Sequence, residues 1–535
     1  MTFSGVSGTK PAATSSGKPS RVPRLSALPL RIMMILALLA GAALPLAFAP
    51  YGFWPMAFIS PALLYAFLYQ RTTSQAFWIG EAYGVGLWCV GAFWLYTSIH
   101  VYGDTSMPVA LLMILGVGLL MGLFNGVQAA LYRRFVPETP LTFAPMWVVT
   151  EWTKTWLLTG FPWLFVGYGL TEHQLDGFAP LAGVFAVSFV VVLIGCALIE
   201  VLRGRRYWLI PVLVLTLIGV GLNRVVWTTP KDSPPLSVSL VQGNIPQDLK
   251  WLTEYRQRTL DIYAELSATE WGRDLVVWPE SSIPMFQTDA KDFIADTSKI
   301  AGQAGTAWVT GIPWQANDEY NPATDDYPPF YNSIIALGAD AKGLYKKQRL
   351  VPYGEYIPLE GALKWMLPSL RKNTEVSSFS LGPANQPPLY VKGHALAAAI
   401  CYEVAYPNLT RLNARGSDFL VTLSNDAWFG TSDGPLQHLQ MVQMRAKENG
   451  RWFIRATNTG VTAFINERGH IVSRTPQFVK TVLRDELPAM QGVTPYTRFG
   501  DWPILLLSAA LLGLGVILRR RTLPVSRVSA RTRYG

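Results

Sequence analysis

Cysteine and charged side chains are both scarce in this sequence of 535 residues. The three cysteines, Cys89, Cys196 and Cys401, lie far apart and show no C-x-x-C spacing, so we expect neither a disulfide framework nor a structural metal site. Asp, Glu, Lys and Arg together make up only 15% of the chain, while hydrophobic residues make up 50%. This composition is too apolar for a wholly soluble protein and predicts a membrane portion.

The net charge of +10 does not by itself indicate a nucleic-acid partner. A nucleic-acid footprint needs basic residues on a folded face together with groups that read or stack on bases. Many of the basic residues here sit next to apolar runs instead. We therefore expect no nucleic-acid partner.

Uncharged stretches predict eight transmembrane helices. Residues 32–70 contain no charged residue. They exceed one crossing of about 20 residues, and the break at Ala49-Pro50-Tyr51-Gly52 makes them a helical hairpin. Further stretches occupy residues 82–103, 105–132, 177–199, 207–223 and 502–518. A weaker candidate, residues 141–159, contains Glu151 and Lys154, which we expect to pair on one helix face. A functional intramembrane pair is the alternative.

Clusters of arginine fall on one side of the predicted membrane. They precede the first span and follow the second, fourth, sixth and eighth, at Arg21, Arg24, Arg31, Arg71, Arg133, Arg134, Arg203, Arg205, Arg206, Arg519, Arg520 and Arg521. The short opposite loops near residues 50, 104 and 170 hold no Lys or Arg. By the positive-inside rule, both termini are cytoplasmic and the region between spans seven and eight lies outside.

This topology divides the chain into five parts. Residues 1–30 are a disordered cytoplasmic N-terminus, 31–228 a membrane domain with seven helices, 232–498 an external domain, 501–519 the final transmembrane helix and 520–535 a basic cytoplasmic tail.

The external domain alternates strand-like and helix-like segments. The strand candidates are residues 236–241, 275–278, 307–310, 333–337, 395–400, 419–423 and 452–465, the last of which is long enough for two strands. Helix-like stretches at residues 253–269 and 437–449 lie between some of them. The alternation predicts a layered α/β domain.

Three chemically capable side chains follow predicted strands of this domain. Glu280 ends the run VVWPE, Lys347 lies in LYKKQRLVPYGEY, and Cys401 follows HALAAAI. The carboxyl ends of strands are where open α/β sheets gather their sites. A cysteine nucleophile needs a base and usually a nearby positive charge, so Glu280 could take the thiol proton while Lys347 stabilises the thiolate and the oxyanion.

The motifs around these residues resemble a known superfamily. VVWPES, LYKKQRLVPYGEYIP and AAAICYEVAYP are similar to the Glu, Lys and Cys motifs of the nitrilase, or carbon-nitrogen hydrolase, superfamily. With seven spans before this domain and one after, and with VQGNIPQDLKW and LSNDAWFG, the whole chain resembles the apolipoprotein N-acyltransferase family. The resemblance implies an α-β-β-α sandwich on a bundle of about eight membrane helices.

The same resemblance implies roles for individual residues. Glu280 would be the general base, Cys401 the nucleophile, and Lys347 rather than Lys346 the family's lysine, because it stands eight residues before Glu355. Four further positions match functional ones that support the triad or the lipid site: Trp251, Glu355, Tyr402 and Glu403.

A ping-pong N-acyltransferase reaction is the activity that the resemblance implies. Cys401 would take an acyl chain from a phospholipid, and the α-amino group of the diacylglyceryl-cysteine of an apolipoprotein would then accept it. No cofactor or metal is required. The expected setting is the bacterial inner membrane, with a monomeric enzyme surrounded by membrane lipids and a periplasmic catalytic domain.

Other readings of the site are open. Residues 430–434 fit G-x-S-x-G, with Ser432 as a candidate nucleophile. His394 lies about 23 Å back along a strand from Cys401 at about 3.3 Å per residue, but distance does not exclude His438 or His470 as a base.

A membrane-tethered amidase would use water as the second nucleophile, and a transporter with an accessory domain is a remote alternative. Residues 356–390, which include GALKWMLPSL, have two alternative interpretations. They form either a mobile lid that admits acyl chains or an ordinary surface helix and loop.

Overall fold

The computed structural model describes residues 28–321, 328–352, 354–356 and 379–522. Most of the expected N-terminal region, most of the tail and the GALKWMLPSL segment of the lid hypothesis lie outside the described residues. The predictions made for these segments therefore stay predictions.

Helices occupy each of the apolar segments of the first part of the chain and the one near its end. They are α1 (Leu30–Ala43), α2 (Pro55–Phe67), α3 (Thr73–Gly91), α4 (Met107–Phe135), α5 (Pro140–Thr153), α6 (Ala179–Leu202), α7 (Leu209–Leu222) and a final helix at Trp502–Thr522. Among the described residues, four segments are long and apolar enough to cross a membrane: Leu30–Ala47, Met107–Phe135, Gln174–Leu202 and Trp502–Arg521. The chain thus has the helices of a membrane protein, and eight crossings stay a prediction.

The third helix begins earlier than its uncharged run predicts. The run starts at residue 82, but α3 begins at Thr73, because the Thr72 hydroxyl accepts from the Gln75 amide and the Gln75 side chain accepts from the Thr72 amide. Glu81 therefore lies inside the helix, where it is buried against α4. Close packing of α3 on α4 requires glycine at residue 84, since a Cβ there would lie 2.5 Å from the Gly122 Cα.

Among the described contacts Glu151 and Lys154 form no direct ion pair, although each lies close enough for its charge to act on the other. Glu151 Oε1 instead accepts from the Trp147 indole at 2.9 Å and from the Val166 amide at 2.8 Å. The Lys154 ammonium lies 5.5 Å from the centre of the Trp88 ring. The reason is that the chain folds back after α5 and brings an amide into an apolar interior, where it needs an acceptor.

The region between α7 and the last helix contains two large β-sheets. One has six strands in the order β14-β2-β3-β4-β5-β7, and the other has seven in the order β13-β12-β11-β10-β9-β8-β6. The strands are β1 (Thr228–Pro230), β2 (Leu236–Gln242), β3 (Leu275–Val277), β4 (Ala307–Gln315), β5 (Phe330–Gly338), β6 (Ala341–Lys342), β7 (Leu344–Lys346), β8 (Leu389–Val391), β9 (His394–Ile400), β10 (Phe419–Ser424), β11 (Phe453–Thr457), β12 (Ala463–Ile465), β13 (Ile471–Arg474), β14 (Thr481–Leu487) and β15 (Met490–Gly492). A separate small ribbon pairs β1 with β15.

The two sheets pack face to face, with helices on their outer faces. Their inner faces share one apolar core that includes Val238, Val277 and Val309 from one sheet and Ala398, Val421 and Ile454 from the other. The outer face of the six-stranded sheet packs on α8 (Arg256–Ser267) and α9 (Lys291–Gln303). The outer face of the seven-stranded sheet packs on α10 (Pro407–Ala414) and α11 (Gly434–Asn449), and the short α12 (Pro495–Phe499) leads into α13, the final helix. The α-β-β-α sandwich is confirmed.

Candidate functional site

Strand ends from both sheets meet at one buried site. Lys347 follows β7 directly and Glu280 lies just beyond β3, both in the six-stranded sheet, whereas Cys401 follows β9 in the seven-stranded sheet. The Lys347 ammonium lies 3.4 Å from Glu280 Oε1. Both charges are close enough to Cys401 to act on its thiol. The structure therefore brings together the three side chains that the sequence singled out.

Cys401 occupies a sharp turn at the end of its strand. Its φ is +49°, in the left-handed region that residues with a side chain rarely adopt. The residue is 8% exposed, and its carbonyl oxygen lies 3.0 Å from His438 Nε2. The turn directs the chain away from the sheet and leaves the thiol at the strand end, beside Glu280 and Lys347.

The Cys401 thiol is held in its protonated form at rest. Burial raises the pKa of Cys401 well above its ordinary value, and the charge of Glu280 raises it further, while Lys347 only partly offsets these effects. A thiol of this kind needs a base that removes its proton as it attacks.

Glu280 is fixed by four donors, three on its carboxylate and one on its main-chain carbonyl. Its Oε1 accepts from Asn332 Nδ2 at 2.7 Å and faces the Lys347 ammonium. Its Oε2 accepts from the main-chain amide of Asn425 at 2.7 Å. The Lys250 ammonium donates to the Glu280 main-chain carbonyl at 2.9 Å. The carboxylate is therefore held by hydrogen bonds on both oxygens.

Lys347 lies between two carboxylates, Glu355 and Glu280, and is closer to Glu355, which is also the nearer of the two in sequence. Its ammonium is 2.8 Å from Glu355 Oε1, closer than to Glu280. Burial alone would lower the pKa of Lys347, but the charges of Glu355 and Glu280 outweigh burial and raise that pKa above its ordinary value. The ammonium is therefore charged at neutral pH and can stabilise a developing oxyanion.

Glu355 and Glu403 support different parts of the site. Glu355 contacts Lys347 and also accepts from Asn332 at 2.9 Å. Glu403 is fully buried and accepts from the amides of Ile400 and Gln348, so it joins the Cys401 turn to the segment after Lys347.

Tyr402 and Trp251 have different neighbours. Tyr402 stacks on Trp163 from the loop after α5, with ring centres 6.4 Å apart and planes 16° apart. It thus contacts the part of the chain that contains helices α1 to α7, which we call the membrane half. Trp251 is 43% exposed, and its ring centre is 5.8 Å from the Lys250 ammonium.

Three site residues carried no predicted role in the sequence: Lys250, Asn332 and Asn425. His438 was an open alternative only as a base, whereas the structure places it against the Cys401 carbonyl. Lys250 and Asn425 lie inside the runs VQGNIPQDLKW and LSNDAWFG, so their motifs could have drawn attention to them. Burial lowers the pKa of Lys250 to about 8, against the opposing effect of Glu280 and Cys401. Asn332 has no comparable signal, because a single asparagine on a strand is ordinary.

The alternative nucleophile and bases fit the geometry less well. The Ser432 hydroxyl donates to the Phe429 carbonyl at 2.6 Å, as in a local turn. His394 contacts Asp418 at the start of β9, and His470 faces Glu172 at 3.6 Å. His438 contacts the main chain of Cys401.

One group near the site has the residue types of a metal centre. Ligand atoms of Cys401, Asp426 and His438 all lie within 4.8 Å of one another. However, Arg455 already donates to Asp426 Oδ2 at 2.6 Å, which places a guanidinium beside the carboxylate that a cation would need. The arrangement favours an ion-paired network.

A buried thiol beside a fixed carboxylate and a charged lysine has the groups that an acyl-transferring, nitrilase-like enzyme requires. The carbon-nitrogen hydrolase family model matches residues 237–494, and the model of the apolipoprotein N-acyltransferase N-terminal domain matches residues 40–197. The apolipoprotein N-acyltransferase of Azotobacter vinelandii is 42% identical over 499 residues, covering 91% of this chain and 95% of that protein. The chain belongs to the apolipoprotein N-acyltransferase family.

Further relatives extend this comparison. The apolipoprotein N-acyltransferase of Pseudomonas aeruginosa strain LESB58 is 41% identical over 505 residues, covering 92% of this chain and 97% of its own. A solved nitrilase-superfamily structure from Saccharomyces cerevisiae is 17% identical, with a TM-score of 0.36, and covers 56% of this chain and 99% of its own.

Proposed function

We propose that this enzyme transfers a fatty acyl chain from a phospholipid to the α-amino group of the diacylglyceryl-cysteine of an apolipoprotein, through a thioester on Cys401. The observation that carries the proposal is the buried Cys401 thiol beside Glu280 and Lys347, next to a turn that packs on the membrane half. Membership of the apolipoprotein N-acyltransferase family supports the same activity.

In the first step, Cys401 is acylated. Glu280 takes the thiol proton as the sulfur attacks the ester carbonyl, a C–S bond forms, and an electron pair moves onto the carbonyl oxygen, where Lys347 stabilises it. Collapse of this intermediate breaks the ester C–O bond. The departing glycerol oxygen takes the proton from Glu280, leaving a lysophospholipid and a thioester.

In the second step, the acceptor amine resolves the thioester. The neutral α-amino group attacks the thioester carbonyl and passes a proton to Glu280. Collapse breaks the C–S bond, the sulfur recovers the proton from Glu280, and an amide leaves the site. Atoms and charge balance without a cofactor.

The topology is part of the same proposal. The chain would cross the bacterial inner membrane eight times as a monomer, with both termini cytoplasmic and residues 232–498 periplasmic. The positions of the arginine clusters support this orientation. It would place Cys401 on the side of the membrane where diacylated apolipoproteins are anchored.

The test measures the fate of the acyl chain. Purified enzyme in micelles is incubated with phospholipid, followed by a synthetic diacylated lipopeptide or a control lipopeptide whose α-amino group is acetylated. We expect triacylated product and lysophospholipid with the free amine and no acyl transfer to the blocked one. Release of free fatty acid at the same rate with both peptides would contradict the proposal and favour the amidase-like hydrolase.

A further inference from the structure

We propose that His438 is a positioning residue for acyl transfer, and that its Nε2–H holds the Cys401 carbonyl so that the thiol stays aimed at Glu280 and Lys347. This inference rests on the proposed function, because acyl transfer is the reaction that the positioning serves. It assigns no proton-transfer step to His438.

The Cys401 turn needs an external support. A residue with a side chain at φ +49° persists only where the surroundings hold it there. The Ile400 amide before the turn donates to Glu403 Oε2 at 2.7 Å, and the Cys401 carbonyl after it faces His438 Nε2 at 3.0 Å. The two contacts hold the nucleophile on either side.

The partners of the imidazole fix which nitrogen carries a proton. A carbonyl oxygen can only accept, so Nε2 must be protonated for its contact with Cys401 to be a hydrogen bond. Nδ1 faces Asp426 Oδ1 and Arg455 NH2, each at 3.2 Å. A guanidinium can only donate, so Nδ1 accepts from Arg455 and the neutral imidazole carries its hydrogen on Nε2. In this tautomer Nε2 has no lone pair with which to serve as the base.

The imidazole is itself held from several sides. Asp426 and Arg455 are ion-paired at 2.6 Å, and Arg455 also donates to the Val461 carbonyl at 3.1 Å. The Trp163 ring packs on His438 with centres 6.1 Å apart and planes 29° apart. His438 is 1% exposed. A rigid, buried donor of this kind can keep a main-chain carbonyl in place.

Trp163 also links this support to the membrane half. Its indole donates to Gln437 Oε1 at 2.7 Å, and its ring stacks on Tyr402, the residue after the nucleophile. The loop after α5 therefore contacts both His438 and the Cys401 turn. The position of the nucleophile depends on residues from both halves of the chain.

The test compares two polar replacements of His438. In His438→Gln, the side-chain amide can reach the Nε2 position and still donate to the Cys401 carbonyl. In His438→Asn, the amide is one methylene shorter and reaches only the Asp426 and Arg455 side. Gln443→Leu is the matched control, because Gln443 is a buried polar residue of the same helix that bonds Glu172 and the Gly469 carbonyl instead.

Three measurements are made on each variant. They are the rate of acyl-enzyme formation with saturating phosphatidylethanolamine micelles, the rate of Cys401 alkylation by iodoacetamide in a background without the other two cysteines, and the thermal midpoint. We expect the Asn variant to lose about a hundredfold in acylation rate, with a parallel loss in the rate of Cys401 alkylation. The Gln variant and the control should keep near-wild-type rates, and the thermal midpoints of the Gln and Asn variants should be similar.

The outcomes are distinguishable. Gln and Asn variants with rates within threefold of each other, whether both fast or both slow, would overturn the inference, as would an equal loss in the Gln443→Leu control. If the wild-type protein formed no acyl-enzyme at all, the proposed function would fail instead. The alkylation rates, which need no lipid, would still decide whether His438 positions the thiol.

Discussion

Replacement of Asn332 by leucine should slow acylation of Cys401, although Asn332 carries no charge and does no chemistry. The Asn332 side chain is 3% exposed and its amide donates to two carboxylates, Glu280 Oε1 at 2.7 Å and Glu355 Oε1 at 2.9 Å. Leucine has a similar size and no donor. The substitution therefore removes both hydrogen bonds while leaving little empty space.

The size of the effect follows from those two bonds. A hydrogen bond to a charged group contributes about 1.5–3 kcal/mol. Glu280 keeps its bond from the Asn425 amide and its contact with Lys347, so we take the lower end for both lost bonds, about 3 kcal/mol in all. If this loss is expressed in the barrier to thiol attack, the rate falls roughly 150-fold, at about 1.4 kcal/mol for each factor of ten.

The assay is single-turnover formation of the acyl-enzyme, followed by intact mass at saturating phospholipid. Ser333→Ala is the control, because Ser333 is the next residue on the same strand and its hydroxyl donates only to the Tyr331 carbonyl, at 3.4 Å. Asn332→Asp should be at least as slow as the leucine variant, since it adds a third carboxylate beside two others. An Asn332→Leu enzyme that acylates within threefold of wild type would refute the reasoning.

Three further changes have defined outcomes. Lys250→Met should slow acylation about tenfold, because it removes one charge-assisted hydrogen bond to the Glu280 main-chain carbonyl. In the wild type, Lys250 should lose its charge as the pH rises through its pKa of about 8, so the advantage over the variant should shrink there. Parallel pH–rate profiles of the wild type and the variant would argue against this role. Glu355→Gln should slow acylation roughly thirtyfold, because Lys347 loses its nearer carboxylate, and an unchanged single-turnover rate would contradict that. Alkylation of Cys401 by iodoacetamide should rise about tenfold per pH unit between pH 7 and 9, because its pKa is raised and the thiolate is scarce below it; a plateau in that range would contradict a raised pKa.

The chemical identity of the candidate site could be predicted from sequence because its reactive groups follow strands. Glu280, Lys347 and Cys401 stand after strand-like runs, and strand ends converge in a layered α/β fold. Their mutual geometry could not be predicted. Cys401 comes from a different sheet than the other two, and the closer partner of Lys347 is Glu355. Such distances depend on how two sheets pack, which no local pattern encodes.

The roles of Asn332 and His438 could not be predicted either, because they too depend on tertiary packing. Asn332 donates to Glu280, 52 positions away in sequence, and His438 faces the carbonyl of Cys401, 37 positions away. An asparagine on a strand or a histidine on a helix is more often a satisfied core or surface residue, so neither has a signature of its own. Their role follows only from the partner that tertiary packing brings to them.

Charge counting located the apolar helices and missed two of their details. The uncharged run that predicted the third helix begins just after Glu81, yet a capping box begins α3 at Thr73, and that glutamate is buried inside the helix against α4. Spacing alone predicted that Glu151 would pair with Lys154, but Glu151 Oε1 accepts from the Val166 main-chain amide, and the two charges act on each other without a direct ion pair. In both cases a specific hydrogen bond outweighed the average cost of a charged group in an apolar segment.

The central claim is that Cys401 carries the acyl chain. The most direct test is intact mass analysis of the wild-type protein and the Cys401→Ala variant after incubation with phospholipid and no acceptor. The wild-type protein should gain the mass of one acyl chain in thioester linkage, which hydroxylamine removes, and the variant should gain nothing. Equal acyl labelling of both proteins would contradict the account.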